Sequence, residues 1–133
     1  MTTYLLDANV LIALIVQEHE HHGRVAFWTA GVEHVALCPI VEGALVRFLV
    51  RIGESVSVVS EVLRVMHANP HCEFWPDSVT YADADLSRVH GHRQVTDAYL
   101  VALTASRPGA RLATLDRGLA QLRTDLTIHI PES

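Results

Sequence analysis

The fold is decided by one stretch near the start of the sequence, Thr3-Tyr4-Leu5-Leu6-Asp7-Ala8-Asn9-Val10-Leu11-Ile12. Its first four residues form a short apolar run of the kind that makes a buried strand, and the apolar segment 8–17 is typical of a helix. Asp7 lies at the junction between the two. A strand that leads directly into a helix is the repeating unit of α/β proteins, so this stretch predicts a protein of that class.

The same alternation of short strands and helices continues along the chain. Further strands are predicted at 35–38, 72–75, 111–114 and 126–130. Further helices are predicted at 20–29, 39–52, 55–68, 83–89, 95–105 and 117–122. Helical crossovers join parallel strands, and such sheets are covered on both faces. We therefore expect one domain over residues 1–133, a three-layer α/β/α sandwich with a central, mainly parallel sheet of Rossmann-like type.

The composition limits the class of protein and its compartment. Half of the 133 residues are hydrophobic and 19% are charged, which favours a folded chain over a disordered one. The longest unbroken apolar run, 10–16, is far shorter than the ~20 residues of a membrane span, and the N-terminus lacks the basic region of a signal peptide. We expect a cytoplasmic protein with no membrane partner, in which Cys38 and Cys72 are reduced, packed thiols.

Four carboxylates, far apart in sequence, stand where α/β proteins carry their ligands. Asp7 ends the first strand, and Asp116 closely follows the strand predicted at 111–114. Glu42 and Asp97 each fall in the first turn of a predicted helix, where the helix dipole favours negative charge. Because parallel sheets bind ligands at the carboxyl ends of their strands, we expect these four acids to face one rim.

A cluster of four acids in apolar surroundings needs a counter-charge. Each acid alone is explained as a helix cap or a solvated charge, but four together repel one another unless they are protonated or neutralised by cations. Oxygen ligands suit Mg²⁺ or Mn²⁺, and a pair of such ions is the usual clamp for phosphodiester hydrolysis. The net charge of −5, unusual for a protein that binds nucleic acid, becomes −1 once the four acids are assigned to metal. All ten basic residues are arginines.

Four segments of the sequence resemble the acidic motifs of PIN-domain ribonucleases. They are Leu5-Leu6-Asp7-Ala8-Asn9-Val10-Leu11-Ile12, Ile40-Val41-Glu42, Val95-Thr96-Asp97-Ala98-Tyr99-Leu100 and Leu112-Ala113-Thr114-Leu115-Asp116-Arg117. The resemblance is to the toxin branch, called VapC, of bacterial toxin–antitoxin pairs. Each motif is weak alone, and the specific signal is the ordered set, which spans residues 5 to 117.

That resemblance implies a chemistry and a set of partners. The residues that it assigns to catalysis and to Mg²⁺ or Mn²⁺ are Asp7, Glu42, Asp97 and Asp116. A metal-activated water would attack an RNA phosphodiester, and Asn9 and Thr114 would support the first and last acids. The family also implies a homodimer and a cognate VapB-like antitoxin, which lays an apolar segment across the toxin.

Several other polar residues are candidates for contact with substrate. Arg93 precedes the predicted helix that carries Asp97, and Arg117 adjoins Asp116, so both are candidates for contact with RNA phosphate. The histidines at 19, 21 and 22 lack the second, spaced pair of ligands that a zinc site needs. For them we expect a loop near the rim of the active site.

Two other functions remain open. The first is a PIN-like domain without catalytic activity that serves as a binding or regulatory scaffold. Because all four acids are present, we rank this alternative second to a ribonuclease. A haloacid-dehalogenase-like phosphatase would use Asp7 as its nucleophile, but it needs a second aspartate where this chain has Asn9. The absence of lysine excludes a receiver domain and a P-loop, and the absence of a Gly-x-Ser-x-Gly motif argues against a serine hydrolase.

Overall fold

A central sheet of five strands organises residues 2–132, the part of the chain that this computed structural model describes. The strands are β1 Thr3–Leu6, β2 His34–Leu37, β3 Cys72–Phe74, β4 Arg111–Thr114 and β5 Thr127–His129. They lie in the order β3-β2-β1-β4-β5, and every neighbouring pair is parallel. Leu5 in the middle strand pairs with Ala36 on one side and with Leu112 on the other.

Six α-helices pack around this sheet within residues 2–132. They are α1 Ala8–Ile15, α2 His22–Ala30, α3 Pro39–Arg51, α4 Val56–Ala68, α5 Val95–Ala105 and α6 Arg117–Leu122. Helix α1 packs with α2 and α3, and α3 packs with α4, whereas α5 and α6 lie on β4 and β5. The predicted three-layer α/β/α sandwich is confirmed. Each helix in this part of the chain is too short or too polar to cross a membrane.

The core lies between the sheet and its helices. Strands β1 and β4 end in consecutive buried residues, rather than in an alternating pattern, because helices cover both faces of a parallel sheet. The fully buried leucines are Leu5, Leu6, Leu11, Leu37, Leu45, Leu100, Leu103 and Leu112. Burying each such side chain contributes about 1.5–3 kcal/mol, so these leucines supply much of the driving force for the fold.

The order of the strands creates a switch point at the middle of the sheet. From β1 the chain first adds β2 and β3 on one side, and it then crosses over to add β4 and β5 on the other. Strands β1 and β4 are therefore neighbours whose following segments diverge, which opens a crevice at their carboxyl ends. Asp7 follows β1, and Asp116 comes two residues after β4.

The prediction of a helix at 83–89 is wrong. The structure has a short 3₁₀ turn at Tyr81–Asp83, followed by turns and bends. The Thr80 hydroxyl accepts a hydrogen bond from the Ala82 amide at 3.2 Å, and Asp85 accepts bonds from the amide and the hydroxyl of Ser87 at 3.0 and 2.6 Å. Such local bonds from side chains to the backbone compete with a helix. The other predicted elements form, and their ends differ from the predicted ones by two residues at most.

Candidate active site

Three aspartates lie at the carboxyl edge of the sheet, around the switch point. Asp7 directly follows β1 and caps α1, while Asp116 follows β4 and caps α6. Asp97 lies in the first turn of α5. The charges of Asp7 and Asp116 both act on Asp97, so the fold brings these three acids into one electrostatic cluster. We call Asp7, Asp97 and Asp116 the aspartate cluster.

Asp7 is held rigidly by its neighbours. It is only 7% exposed, and its backbone amide donates to the Ala113 carbonyl at 3.0 Å. One carboxylate oxygen, Oδ1, accepts a hydrogen bond from the Ala8 amide at 2.7 Å, and the other, Oδ2, accepts one from the Thr114 hydroxyl at 2.9 Å. A carboxylate oxygen has two lone pairs, so each oxygen retains capacity for a further ligand.

Thr114 connects two members of the aspartate cluster. Its buried hydroxyl donates its single proton to Asp7 and accepts a hydrogen bond from the Asp116 amide at 2.9 Å. The Asp116 carboxylate in turn accepts from the Leu119 amide at 3.2 Å, which caps α6. One threonine side chain at the end of β4 therefore orients the Asp7 carboxylate and fixes the backbone at Asp116.

Gly118 lets the backbone of α6 approach the Asp116 carboxylate closely. A Cβ atom at this position would lie 3.3 Å from Asp116 Oδ1. That separation is tighter than ordinary van der Waals contact, so a side chain here would press on the carboxylate. The small residue keeps Asp116 in the position set by its cap.

Burial and mutual repulsion shape the charge state of the aspartate cluster. Removal from water, followed by the charges of Asp7 and Asp116, raises the pKa of Asp97 to about 6. Burial also raises the pKa of Asp7, and the hydrogen bonds from Thr114 and Ala8 partly oppose that effect. Carboxyl groups with raised pKa values in a crevice are typical of functional sites. Carboxylates without a counter-charge destabilise the folded protein unless a bound ligand neutralises them.

The chemistry of the cluster fits a hard divalent cation. Its donors are all carboxylate oxygens, which Mg²⁺ and Mn²⁺ prefer, and a cation among them would offset the repulsion that raises the pKa of Asp97. Within residues 2–132, no three side chains of His, Cys, Asp or Glu are already gathered into a coordination shell. The cluster thus supplies the right ligands and charge, and its side chains must close around an ion.

Glu42, the fourth predicted acid, makes different contacts. It lies in the first turn of α3, as predicted, but its carboxylate pairs with the His67 ring from the last turn of α4. Its charge acts on Cys72 and Asp77, on the β3 side of the sheet. The structure therefore brings three of the four predicted acids together and places Glu42 beside them, at the same edge, in a separate pair.

The predicted supporting and RNA-contacting residues occupy different places. Thr114 lies inside the aspartate cluster. Asn9 is exposed in the first turn of α1 and lines a groove between α1 and α3. Arg93 lies in a 3₁₀ turn, His92–Gln94, just before α5, and Arg117 is the first residue of α6. Both arginines are exposed, and neither forms an ion pair with any residue from 2 to 132.

A large groove of about 900 Å³ opens beside the aspartate cluster. Asp97 and Asp116 lie in its wall, together with residues of α5, α6 and the segment 79–94. Its other lining residues include Asp83, Asp85, Arg88, Gln94 and Arg123. A polymeric substrate can therefore reach two of the three acids from solvent.

Several residues around this edge of the sheet were not predicted from the sequence. His67 and Asp77 surround Glu42, and Gly118 shapes the position of Asp116. The histidines expected near the rim lie instead beyond the far end of α1, where His22 Nδ1 is 2.8 Å from the Ala13 carbonyl oxygen. A pairing such as that of Glu42 with His67, which joins two different helices, leaves no local signal in sequence.

Three aspartates at the switch point of a parallel α/β sandwich define an acidic type of site, and comparison with known proteins identifies the family. Residues 4–124 match the PIN domain, and the chain belongs to that family. Over 130 residues it is 50% identical to Ribonuclease VapC29 of Mycobacterium tuberculosis, covering 97% of each chain.

Two further relatives come from the same organism. The chain is 38% identical over 126 residues to Ribonuclease VapC44, covering 87% of each chain. It is 35% identical over 136 residues to Ribonuclease VapC38, covering 95% of this chain and 96% of that protein. The resemblance inferred from the acidic motifs is thereby confirmed.

Proposed function

We propose that this protein is the toxin of a type II toxin–antitoxin pair and that it hydrolyses RNA phosphodiester bonds with Mg²⁺ or Mn²⁺. The observation that carries the proposal is the aspartate cluster, in which Thr114 links Asp7 to the backbone of Asp116. Burial, followed by the charges of Asp7 and Asp116, raises the pKa of Asp97 in this cluster to about 6. The names of the relatives, each a VapC ribonuclease, support the same reaction for this chain.

Asp7, Asp97 and Asp116 are the residues that we assign to the metal. A bound Mg²⁺ or Mn²⁺ supplies a nucleophilic water at neutral pH and positive charge beside the reacting phosphate. Thr114 orients Asp7 and fixes the backbone at Asp116, so two of these carboxylates are already positioned before substrate binds. Burial and the charges of Asp7 and Asp116 raise the pKa of Asp97 in the metal-free protein, and a bound cation would offset that repulsion.

We assign Glu42 a place at the flank of the metal site. Its carboxylate is mostly buried, with 18% of the side chain exposed, and it is held by His67. From this position Glu42 adds negative charge to the same edge of the sheet. Glu42 would be a fourth residue to hold the cation if its side chain were released from His67.

Arginines beside the cluster are suited to hold the RNA backbone. Arg117 begins α6, immediately after Asp116, and Arg93 leads into the helix that carries Asp97. Guanidinium groups bind phosphate oxygens in a bidentate manner. We propose that Arg93 and Arg117 contact phosphates next to the scissile bond.

The proposal includes the partners that a toxin of this family implies, namely a VapB-like antitoxin and a second copy of the chain, in the cytoplasm. Exposed apolar side chains on one face of α4 support a surface for such partners, since Val58 is 47% exposed and Val65, two turns further along the helix, is 61% exposed. Large apolar side chains grouped at a surface are typical of protein–protein contacts.

Cleavage of RNA by purified protein tests this function. We expect cleavage with Mn²⁺ or Mg²⁺, none with EDTA, and none from Asp97→Asn under either condition. Asp125→Asn is the matched control, because Asp125 is an exposed aspartate paired with Arg123, and we expect it to cleave like the parent. Circular dichroism must show that each variant is folded. Equal cleavage by Asp97→Asn and the parent would reject the nuclease, and metal binding without cleavage would favour a non-catalytic PIN domain.

A further inference from the structure

A second groove, of about 490 Å³, lies between α1 and α3. Its polar lining consists of Asn9, His19, Arg47 and Arg51, and its apolar lining consists of Ile12, Ala44 and Phe48. The lining contains no carboxylate. This makes it a distinctly basic feature on a chain whose net charge is −5.

The arginines of this protein divide into two groups by their contacts. Four of the ten bind oxygen atoms of the fold: Arg24 the Ile130 carbonyl, Arg64 the Glu61 carboxylate, Arg111 the Thr124 and Thr127 carbonyls, and Arg123 the Asp125 carboxylate. Arg107 and Arg51 lie over the Trp75 and Phe48 rings, which leave their charge without an anionic partner in the described part of the chain. Arg47 and Arg51 belong to the other group, since neither forms an ion pair with any residue between 2 and 132. Their charge is available to a ligand.

The two arginines lie one turn apart on α3. Residues four apart on a helix are separated by about 6 Å along its axis. Arg51 is placed over the Phe48 ring, with 5.8 Å from Cζ to the ring centroid. The Arg47 guanidinium folds back toward the start of α3, because its Nη1 atom lies 3.4 Å from the position of a Cβ on Gly43. Gly43 therefore provides the room for this orientation.

The groove begins at the edge that carries the aspartate cluster. Asn9, at one end of the groove, is two residues beyond Asp7. Helices α1 and α3 both start at the carboxyl ends of parallel strands, so they run away from that edge in the same general direction. The groove between them thus leads from the cluster to Arg47 and then to Arg51.

We propose that this groove binds backbone phosphates of the RNA strand on one side of the scissile bond, with Arg47 and Arg51 contacting successive phosphates. This inference rests on the proposed ribonuclease function and adds a binding site to it. Two guanidinium groups spaced by one turn, with an amide and an imidazole beside them, match a chain of phosphates. An acidic chain needs such a site, since its overall charge repels a polyanion.

Binding of a non-cleavable strand tests the groove separately from catalysis. The probe is a labelled 2′-O-methyl RNA of about 12 nucleotides, a length within the range of single-strand sites, with EDTA present throughout. We expect the double variant Arg47→Gln/Arg51→Gln to bind about ten-fold more weakly than the parent. We expect the dependence of log K on log salt to become shallower by about 1.4, since each lost phosphate contact on a single strand removes about 0.7.

The controls separate a binding role from a structural one. Arg64→Gln removes an exposed arginine of α4 that pairs with Glu61, and it should bind like the parent. Arg47→Lys/Arg51→Lys keeps both charges and should recover most of the salt dependence.

Each result has a defined meaning. The double glutamine variant and Arg64→Gln could bind RNA with equal affinity and equal salt dependence while the parent protein cleaves RNA. That result would overturn RNA binding by the groove and leave the proposed function standing. Unchanged RNA binding combined with weaker binding of an acidic antitoxin peptide would assign the groove to a protein partner and also overturn it. A parent protein that neither binds nor cleaves RNA would overturn the groove and the ribonuclease together.

Discussion

The Thr114 hydroxyl donates a hydrogen bond of 2.9 Å to Asp7 Oδ2, across 107 positions of sequence. The Thr114 hydroxyl oxygen also accepts a hydrogen bond of 2.9 Å from the Asp116 amide, so one buried side chain positions two acids. The bond is possible because β1 and β4 are parallel neighbours whose carboxyl ends meet. The arrangement makes Thr114 a positioning residue for the aspartate cluster.

Replacing Thr114 by valine should therefore impair activity more than folding. Thr114→Val keeps the shape of the side chain but removes the donor to Asp7 and the acceptor for the Asp116 amide. We expect a 10- to 100-fold loss in Mn²⁺ affinity or in cleavage rate, the range typical of groups that orient metal ligands. The unpaired amide should also lower the free energy of unfolding by about 1–3 kcal/mol.

Two variants separate these effects. Thr114→Ser keeps a hydroxyl and should retain most of the activity. Thr104→Val removes an equally buried threonine hydroxyl, which bonds only to the Leu100 carbonyl within α5, and should leave metal affinity unchanged. Full activity of Thr114→Val would refute the positioning role.

The raised pKa of Asp97 predicts an unusual dependence of stability on pH for the metal-free protein. Its pKa is about 6 in the folded protein against an ordinary value of 3.8, so between these values the folded state binds more protons than the unfolded state. The contribution of Asp97 to stability therefore decreases as pH rises from about 4 to about 6. Asp97→Asn should stabilise the metal-free protein at pH 7 by on the order of 2 kcal/mol.

Urea denaturation at several pH values in EDTA measures this effect. The gain from Asp97→Asn should shrink below pH 6 and vanish near pH 4. Asp125→Asn is the control of opposite sign, because the hydrogen bond and charge of Arg123 lower the pKa of Asp125. A variant Asp97→Asn that is less stable than the parent at pH 7 would contradict the assigned environment.

Adding a methyl group at Gly118 should disturb the site with little effect on the fold. The new Cβ of Gly118→Ala would lie 3.3 Å from Asp116 Oδ1 and must displace that carboxylate by a few tenths of an ångström. We expect several-fold slower cleavage and a raised Mn²⁺ requirement. Gly23→Ala, where a Cβ meets nothing within 4 Å in α2, should cleave normally and gain about 0.5–1 kcal/mol of stability. Equal cleavage by the two variants would show that Asp116 tolerates displacement.

Glu42 should contribute less to metal binding than the aspartate cluster does. Its carboxylate pairs with His67 and lies outside the set of charges that act on Asp97. We expect Glu42→Gln to weaken Mn²⁺ binding less than Asp97→Asn does, with a stability change of about 0–1 kcal/mol because the pair is partly exposed. Titration of Mn²⁺ into both variants decides this. A larger loss for Glu42→Gln would show that Glu42 is a principal ligand.

The sequence was sufficient to predict the fold and most of the acidic edge. Acids that follow β1 and β4 must approach one another once the strands are parallel neighbours, and short apolar strands alternating with helices predict such a sheet. Placement in the first turn of a helix fixes the backbone position of Glu42 but not the direction of its side chain. That direction depends on His67, which α4 brings from 25 positions away.

The segment 83–89, for which the apolar spacing predicted a helix, shows a different limit of prediction from sequence. Its apolar spacing is compatible with a helix, but Thr80 and Asp85 offer the backbone local hydrogen bonds that end helical geometry. The choice between these outcomes depends on small differences in local energy. As a result, an irregular segment rather than a helix lines the groove beside Asp97.

Calorimetric titration of Mn²⁺ into the metal-free protein at pH 7 is the most direct test of the central claim, that Asp7, Asp97 and Asp116 form a divalent-cation site. We expect saturable binding by the parent and by Asp125→Asn, and loss of that binding in Asp97→Asn, with each variant shown to be folded. Binding of the same affinity in Asp97→Asn, or no binding by the parent, would contradict the assignment.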